Sequence, residues 1–192
     1  LPPGAMPALS GLPAWQAGVA WAILWKHGLP TTDGRAGMSA NRVNIRLARV
    51  EDAEMIGAFV RRLTREHVAR DFPPQGRRFL QRALGTPRIL EGMRGTCRYF
   101  VAEERGKMLG VVATRDDHHL LMLFVAEEAQ GQGLARALWA RAREACLEAG
   151  YSGVFTVSAA LGAVPVYQRF GFVASGPVTT EHGVTRLPMT TR

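Results

Sequence analysis

Apolar and polar residues follow two rhythms along the chain, one typical of strands and one typical of helices. Val43–Ala48 alternates with a period of two, which predicts a strand. Glu51 and Asp52 then begin a helix whose apolar positions recur at helical spacing. Those positions are Ile56, Phe59, Val60 and Leu63. The break at Phe72–Gly76, FPPQG, precedes a second helical stretch around Arg77–Leu84.

The rest of the chain repeats both rhythms in shorter segments. The turn Glu104–Gly106 joins two predicted strands in a hairpin. Strands are predicted at Cys97–Glu103, Lys107–Thr114, His118–Val125, Gly153–Ser158, Phe172–Ala174 and Thr185–Thr190. Helices are predicted at Gly133–Ala149 and Ala163–Phe170. The predicted order, β-α-α-β-β-β-α-β-α-β-β, is that of a mixed α/β domain.

Residues 1–37 differ in composition from the segment that follows. They are rich in proline and tryptophan, carry few charges and include the largely apolar run Leu12–Trp25. This run of 14 residues is shorter than the ~20 residues that span a bilayer, and no basic region precedes it as in a secretory signal. We therefore expect an appendage at 1–37 and one domain at 38–192. Upstream sequence read in frame before a start at Met38, and an interfacial or partner-binding anchor, are both open as interpretations of the appendage.

The overall composition narrows the class of protein. The hydrophobic fraction of 47% and the charged fraction of 21% are ordinary for a globular domain. The two cysteines, Cys97 and Cys146, lack the spacing of a metal site or disulfide framework, so we expect a reducing, cytoplasmic location and no metal. A net charge of +8 allows a polyanionic partner. Because basic and aromatic residues are not interleaved, we do not expect nucleic acid as that partner. Because the apolar run Leu12–Trp25 is too short to span a bilayer, we do not expect a membrane either.

Two glycines one residue apart stand at the junction of a predicted strand and a predicted helix. Gly131 and Gly133 end the strand-to-helix segment before the helix begins, where unpaired backbone N–H groups form an anion site. The phosphate loop GxxxxGK fails because no lysine follows, and the dinucleotide fingerprint GxGxxG fails because Arg136 stands at its third glycine. The pattern that fits is Gln130–Ala135, QGQGLA, of the form Q/R-x-x-G-x-G/A.

A second motif follows on the helix after the next predicted strand. Ala163–Phe172 reads AVPVYQRFGF, of the form A-x-x-x-Y-x-x-x-G-F. Together with Gln130–Ala135, and in the same order, it resembles the two signatures of the GNAT N-acetyltransferase superfamily. The resemblance covers Val43 to the C-terminus. One departure is Gly162, which stands where the family often has asparagine, so a side-chain contact to the cofactor is expected to be missing.

The resemblance implies a fold and an activity. The fold would be a central, mixed, mostly antiparallel twisted sheet of six or seven strands, flanked by about four helices. The activity would be acetyl-CoA-dependent transfer of an acetyl group to a primary amine of a small molecule or protein, by direct attack in a ternary complex. A non-catalytic acyl-CoA-binding regulatory module is the alternative. The acceptor amine is not indicated by the sequence, and a homodimer is left open.

The resemblance also implies which residues bind acetyl-CoA. Backbone N–H groups of the glycine loop would hold its pyrophosphate, and the end of the preceding strand would pair with its pantetheine arm. The residues so identified are Leu123, Phe124, Val125, Gln130, Gly131, Gln132, Gly133, Leu134 and Ala135.

Two further residues are expected to move protons. Tyr167 stands where the family places the acid that protonates the leaving thiolate. Counting by twos back from Val125 puts His119 on the same strand face as Leu123 and Leu121, and histidine suits proton abstraction at neutral pH. Asp116, Asp117 and solvent remain alternative bases.

Overall fold

One mixed sheet organises the protein, and helices cover both of its faces. The computed structural model describes residues 21–23, 43–68 and 72–192. The strands within these ranges are β1 Trp21–Ile23, β2 Asn44–Leu47, β3 Cys97–Glu104, β4 Lys107–Arg115, β5 His119–Val125, β6 Thr156–Ala160, β7 Phe172–Ala174, β8 Thr179–Glu181 and β9 Val184–Thr191. The α-helices there are α1 Ala53–Leu63, α2 Pro74–Ala83, α3 Thr86–Arg94, α4 Leu134–Glu148 and α5 Val164–Arg169.

Antiparallel pairing dominates the sheet. The strands follow the order β2-β3-β4-β5-β6-β9-β7, with β8 beside β9 and β1 beside β5. Two pairs are parallel, β5 with β6 and β1 with β5. The predicted fold class, a mixed and mostly antiparallel sheet flanked by helices, is confirmed. Three of its elements were not predicted: α3, β8 and β1.

The unpredicted elements have weak signals in the sequence. The helix α3 follows Gly85 and carries Pro87 in its first turn, where proline is favoured but where Gly-Thr-Pro also suggests a loop. The strand β8 is short, polar and exposed at the rim of the sheet. The strand β1 belongs to the segment 1–37, whose other residues lie outside the described ranges. The predicted domain boundary at residue 38 therefore stays a prediction.

Two hydrophobic layers hold the helices to the sheet. The first lies between the sheet and α4 and α5, and it includes Phe100, Leu123 and Tyr167. The second lies between the sheet and α1, α2 and α3, and it includes Ile56 and Phe124. Since adjacent residues such as Leu123 and Phe124 enter opposite layers, the central strands are buried on both faces. Burying one such side chain contributes about 1.5–3 kcal/mol to the free energy of unfolding.

A β-bulge interrupts the central strand β5. Ala113 of β4 pairs with Met122, but the next residue, Thr114, pairs with Leu120, so Leu121 is an extra residue in β5. The bulge shifts the alternation of side chains by one position. As a result, Leu120, Leu123 and Val125 enter one hydrophobic layer and Met122 and Phe124 enter the other.

The count by twos along β5 is therefore wrong beyond Leu121. The side chain of His119 is on the other face of the sheet from its neighbour Leu120, which shares a layer with Leu123 and Val125. His119 therefore does not share a face with Leu123 and Val125, although it was predicted to do so. The physical reason is the extra residue, since a single insertion moves every following side chain to the other face.

Candidate active site

The strands β5 and β6 pair at one end only, and beyond that end the sheet opens between them, with β1 beside β5. They run parallel and pair at two positions, His119 with Thr156 and Leu120 with Val157. The ladder between them stops at the bulge at Leu121. Beyond it, the edge of β5 that faces away from β4 carries the backbone groups of Met122–Phe124. These groups are placed to receive an extended chain as an added strand.

The glycine loop follows directly from the end of β5. Gly131 and Gly133 adopt φ of 71° and 82°, in the left-handed region that favours glycine. Gly133 is the N-cap of α4 and provides no side chain to cap it. A Cβ built on either glycine meets no atom of a non-neighbouring described residue within 4 Å, so the space beside both is open with respect to residues 21–23, 43–68 and 72–192. The loop thus brings the positive end of a 15-residue helix to an open surface.

Two glutamine side chains of the loop donate hydrogen bonds to backbone carbonyls that precede the loop. The Gln130 amide Nε2 donates to the carbonyl oxygen of Val125 at 3.0 Å, and the Gln132 Nε2 donates to the carbonyl of Glu128 at 2.8 Å. Gln130 Oε1 is buried without a hydrogen-bond partner. Leu134 is buried and anchors the first turn of α4. The predicted loop residues Gln130–Ala135 therefore lie between the end of β5 and the first turn of α4.

Tyr167 lies in α5, in the hydrophobic layer beneath α4. Its side chain is 0% exposed, and its hydroxyl has no hydrogen-bond partner. The rings of Phe172 and Phe170 lie 5.8 Å and 6.5 Å away, both edge-on. Burial raises the pKa of Tyr167 far above its usual value. The hydroxyl is therefore protonated at neutral pH, and it is a donor without an acceptor.

His119 lies at the closed base of the opening. Its Nδ1 is 2.9 Å from the Thr156 hydroxyl across the β5–β6 pair, and the residue is 8% exposed. The structure brings His119 and Tyr167 to the same strand junction but on opposite faces of the sheet, because Tyr167 packs in the layer of Leu120.

The two aspartates named as alternative bases precede β5 in a tight turn. Asp116 accepts a hydrogen bond from Thr96 Oγ1 at 2.5 Å, and Asp117 lies 2.9 Å from the Arg98 guanidinium. Both residues have positive φ, 52° and 55°. These contacts give each carboxylate a role in holding the turn.

Residues 64–192 of the chain match the protein-family model described as an acetyltransferase (GNAT) domain. This range is more than half of the sequence. The chain belongs to the GNAT acetyltransferase family.

Solved structures of GNAT proteins share the fold. A GCN5-related N-acetyltransferase from Rhodopseudomonas palustris has a TM-score of 0.68 at 20% identity, over 82% of this chain and 99% of the other. The PaiA N-acetyltransferase from Thermoplasma acidophilum, solved in complex with coenzyme A, has a TM-score of 0.65 at 14% identity, over 78% of this chain and 98% of the other. A GNAT-family acetyltransferase from Streptococcus pneumoniae has a TM-score of 0.57 at 22% identity, over 78% and 98%. No curated protein sequence gives a significant match.

Two parts of this GNAT domain were missed by sequence reasoning. The first is a π-helix, Thr64–Val68, directly after α1. The hydroxyl of its first residue, Thr64, is buried and has no hydrogen-bond partner. Such π-helical turns occur often at functional sites. The turn between β8 and β9 packs on α2, where the His182 ring stacks on Phe79 at 5.0 Å. A Cβ on Gly183 would lie 3.0 Å from the backbone nitrogen of Gly76, so this contact requires glycine. The dipeptide His182-Gly183 was the available turn signal.

Positive charge surrounds the outer face of α4. A cleft of about 440 Å³ there is lined by four arginines, with Trp139, Phe155 and Phe170 among the other lining residues. The arginines are Arg136, Arg143, Arg169 and Arg192. Arg136 stands in the first turn of α4, so the cleft begins beside the glycine loop. This arrangement favours an anionic ligand at that end of the helix.

Two negative findings apply to the described part of the chain. None of its helices is both long and apolar enough to cross a membrane. No group of three or more His, Cys, Asp or Glu residues in it is arranged to hold a metal ion.

Proposed function

We propose that this GNAT protein transfers an acetyl group from acetyl-CoA to a primary amine of a small molecule or protein, by direct attack within a ternary complex. The observation that carries the proposal is the Tyr167 hydroxyl, which is buried, protonated and without a protein acceptor. A buried donor left unpaired costs about 1–3 kcal/mol. This cost is explained if a group of the substrate accepts the proton of the Tyr167 hydroxyl during the reaction.

Acetyl-CoA has two binding elements in this proposal. Its pyrophosphate would bind the N–H groups of Gln130–Ala135, where the left-handed glycines leave open space and the α4 dipole favours negative charge. Its pantetheine arm would pair with the edge of β5 at Leu123–Val125 as an added strand. The coenzyme A complex of the PaiA relative supports this ligand class. A cytoplasmic location and a homodimer remain predictions.

The proposed acetyl transfer balances in atoms and charge. The amine nitrogen forms a bond to the thioester carbonyl carbon, and the carbon–sulfur bond then breaks. Tyr167 donates its proton to the departing thiolate, so that coenzyme A leaves as the thiol. The base that takes the amine proton releases it to solvent, and the tyrosinate takes one proton back from solvent, so the protons balance. Because burial raises the pKa of Tyr167, the residue is protonated before the reaction and cannot be the initial base.

The amine proton is assigned to His119. The Thr156 hydroxyl, 2.9 Å from Nδ1, orients the imidazole at the base of the opening. Asp116 and Asp117 are weaker candidates because Thr96 and Arg98 already contact them. The proton passes to His119 directly or through one water.

Thiol release from acetyl-CoA over a panel of primary amines and peptides tests the activity, and Tyr167→Phe tests its acid. We expect the variant to keep its affinity for acetyl-CoA and to lose turnover by about 100-fold, because only the transferable proton is removed. The free variant should be as stable as the wild type or more stable by about 1 kcal/mol, since an unpaired buried hydroxyl disappears.

Tyr151→Phe is the matched control, because its hydroxyl donates to the carbonyl of Val154 at 2.7 Å, outside the site. This control should keep full turnover. Turnover of Tyr167→Phe within twofold of wild type would remove Tyr167 as the acid. Tight binding of acetyl-CoA without turnover on any amine would favour the non-catalytic acyl-CoA-binding module.

A further inference from the structure

The described strand of the N-terminal segment lies inside the opening between β5 and β6. Trp21–Ile23 pairs in parallel with β5, with Trp21 opposite Met122 and Ile23 opposite Phe124. Its Cα atoms also lie within 8 Å of β6, of the π-helix Thr64–Val68 and of Leu161–Ala163 before α5. The strand β1 is therefore surrounded by the elements that frame the candidate active site.

The pairing of β1 uses the backbone edge that the proposed function gives to pantetheine. The ladder between β5 and β6 ends at Leu120 and Val157, and β1 continues along β5 from Met122 to Phe124. Each backbone N–H and C=O on this edge can pair with one extended chain at a time. A peptide strand on Met122–Phe124 and a pantetheine arm on Leu123–Val125 both need the edge at Leu123 and Phe124, so they exclude each other.

We infer that the edge of β5 at Met122–Phe124 is a binding site for an extended peptide, and that residues 21–23 of the chain itself occupy it in competition with acyl-CoA. The competition rests on the proposed function in one respect, the use of the same edge by pantetheine. Among the described residues, none fills the space beside Gly131 and Gly133 while β1 is in place. The strand β1 thus blocks the pantetheine arm and does not itself cover the pyrophosphate site.

The covalent link makes a short strand an effective competitor. Three paired residues would bind weakly as a separate peptide, but a tether holds them at an effective concentration on the order of mM. If β1 occupies the edge about nine-tenths of the time, the apparent affinity for acyl-CoA falls about tenfold. The same weakness of a three-residue pairing allows saturating acyl-CoA to displace it.

Proline substitutions in the full chain test the pairing without deleting the segment. Ala22→Pro with Ile23→Pro removes two consecutive N–H groups, so the ladder to β5 is lost whichever of the two residues donates. The matched control, Ala22→Ser with Ile23→Val, keeps both N–H groups and similar side-chain sizes. Two quantities are measured on all three chains: residue-level amide hydrogen exchange without ligand, and the dissociation constant of coenzyme A by calorimetry.

The expected result has two parts. In the proline variant, amides of Met122–Phe124 that face β1 exchange faster, whereas amides of Val111–Ala113 in β4 keep their protection and report an intact fold. Coenzyme A binds the proline variant about tenfold more tightly than wild type, and the control behaves as wild type. Coenzyme A added to the proline variant restores slow exchange at the same β5 amides.

Several results would overturn the inference, and they separate its parts. Unchanged exchange at Met122–Phe124 would show that β1 does not hold the edge. Faster exchange with unchanged coenzyme A affinity would show pairing without competition. Protection that increases with protein concentration would mean that a second copy supplies the strand. Absence of coenzyme A binding in all three chains would overturn the proposed function itself, and the exchange data would still report whether the peptide site exists.

Discussion

The two edges of β5 differ although one run of sequence supplies both. The edge toward β4 is paired from His119 to Val125, with one bulge at Leu121. The opposite edge pairs with β6 only at His119 and Leu120 and then with β1 from Met122 to Phe124. The first edge is a structural ladder, and the second is the proposed binding surface.

The bulge connects these two behaviours. An extra residue bends the strand and increases its twist, and in β5 it coincides with the point where β6 separates. The open edge then leads into the glycine loop and α4. One inserted residue in β5 thus marks the point where the ladder to β6 ends while the ladder to β4 continues.

The largest expected effect comes from a substitution in the glycine loop, to which the open edge of β5 leads. Gly133→Glu places a carboxylate where the pyrophosphate would lie, and two like charges ~4 Å apart near a protein surface repel by about 4 kcal/mol. We expect affinity for acetyl-CoA to fall by about 100-fold or more in calorimetry. Gly150→Glu is the matched control. Gly150 follows the other end of α4 with φ of 94° and open space beside it, so it shares the backbone strain and not the ligand.

Equal losses of affinity in the two glutamate variants would assign the effect to strain, and unchanged affinity in Gly133→Glu would remove the loop from the binding site. Both variants should retain the fold, since neither new side chain meets another atom near its Cβ.

A smaller effect is expected at the closed base of the opening. His119→Gln keeps polarity and approximate size but cannot accept the amine proton. At pH 7 we expect turnover to fall by about tenfold or more, with acetyl-CoA affinity unchanged, and the difference should narrow as pH rises and the free amine accumulates. Turnover is measured from pH 6 to 9 on one amine. His118→Gln is the control, because its ring contacts the Asp116 carbonyl and Tyr151 instead.

Superimposable pH profiles of wild type and His119→Gln would assign His119 to structure. Deprotonation would then pass to solvent or to the aspartates of the turn.

The smallest effect on ligand binding is expected at the far, fully structural edge of the sheet. Asp52 accepts two hydrogen bonds from Arg46, at 2.7 and 3.0 Å, and one from the backbone of Arg49. The Arg46 guanidinium holds the pKa of Asp52 below its usual value, with the Arg49 hydrogen bond contributing. Asp52→Asn should lower the free energy of unfolding at pH 7 by about 1–3 kcal/mol and leave acetyl-CoA affinity unchanged.

The sign of the pH dependence follows from the lowered pKa. The stabilisation by Asp52 is present above the unfolded pKa of about 3.9 and is lost as pH falls through the lower folded value. Urea titrations should therefore show the two proteins converging below about pH 4. Glu144→Gln, in an exposed pair with Arg141 at 3.2 Å, should change stability by less than about 0.5 kcal/mol. A pH-independent difference for Asp52→Asn would contradict the ionic account.

The sequence by itself determined the elements whose local chemistry is specific. Gly131 and Gly133 predicted a glycine loop at the junction of strand and helix, and in the structure both adopt positive φ, which few other residues do without strain. The spacing of Ala163–Phe172 placed Tyr167 on the helix after the next strand, and the helical spacing in α1 predicted its buried face. These signals are local, so they survive without knowledge of what packs against them.

Only the tertiary structure decided how β5 is used. Its sequence, HLLMLFV, is apolar after the first residue and buried on both faces, so it contains no alternation from which a bulge could be found. The pairing of β1, the orphaned hydroxyl of Tyr167 and the opposite faces of Tyr167 and His119 depend on contacts between segments distant in sequence. Such contacts depend on the register of the strands and on which atoms become buried, and both are set only when the sheet forms.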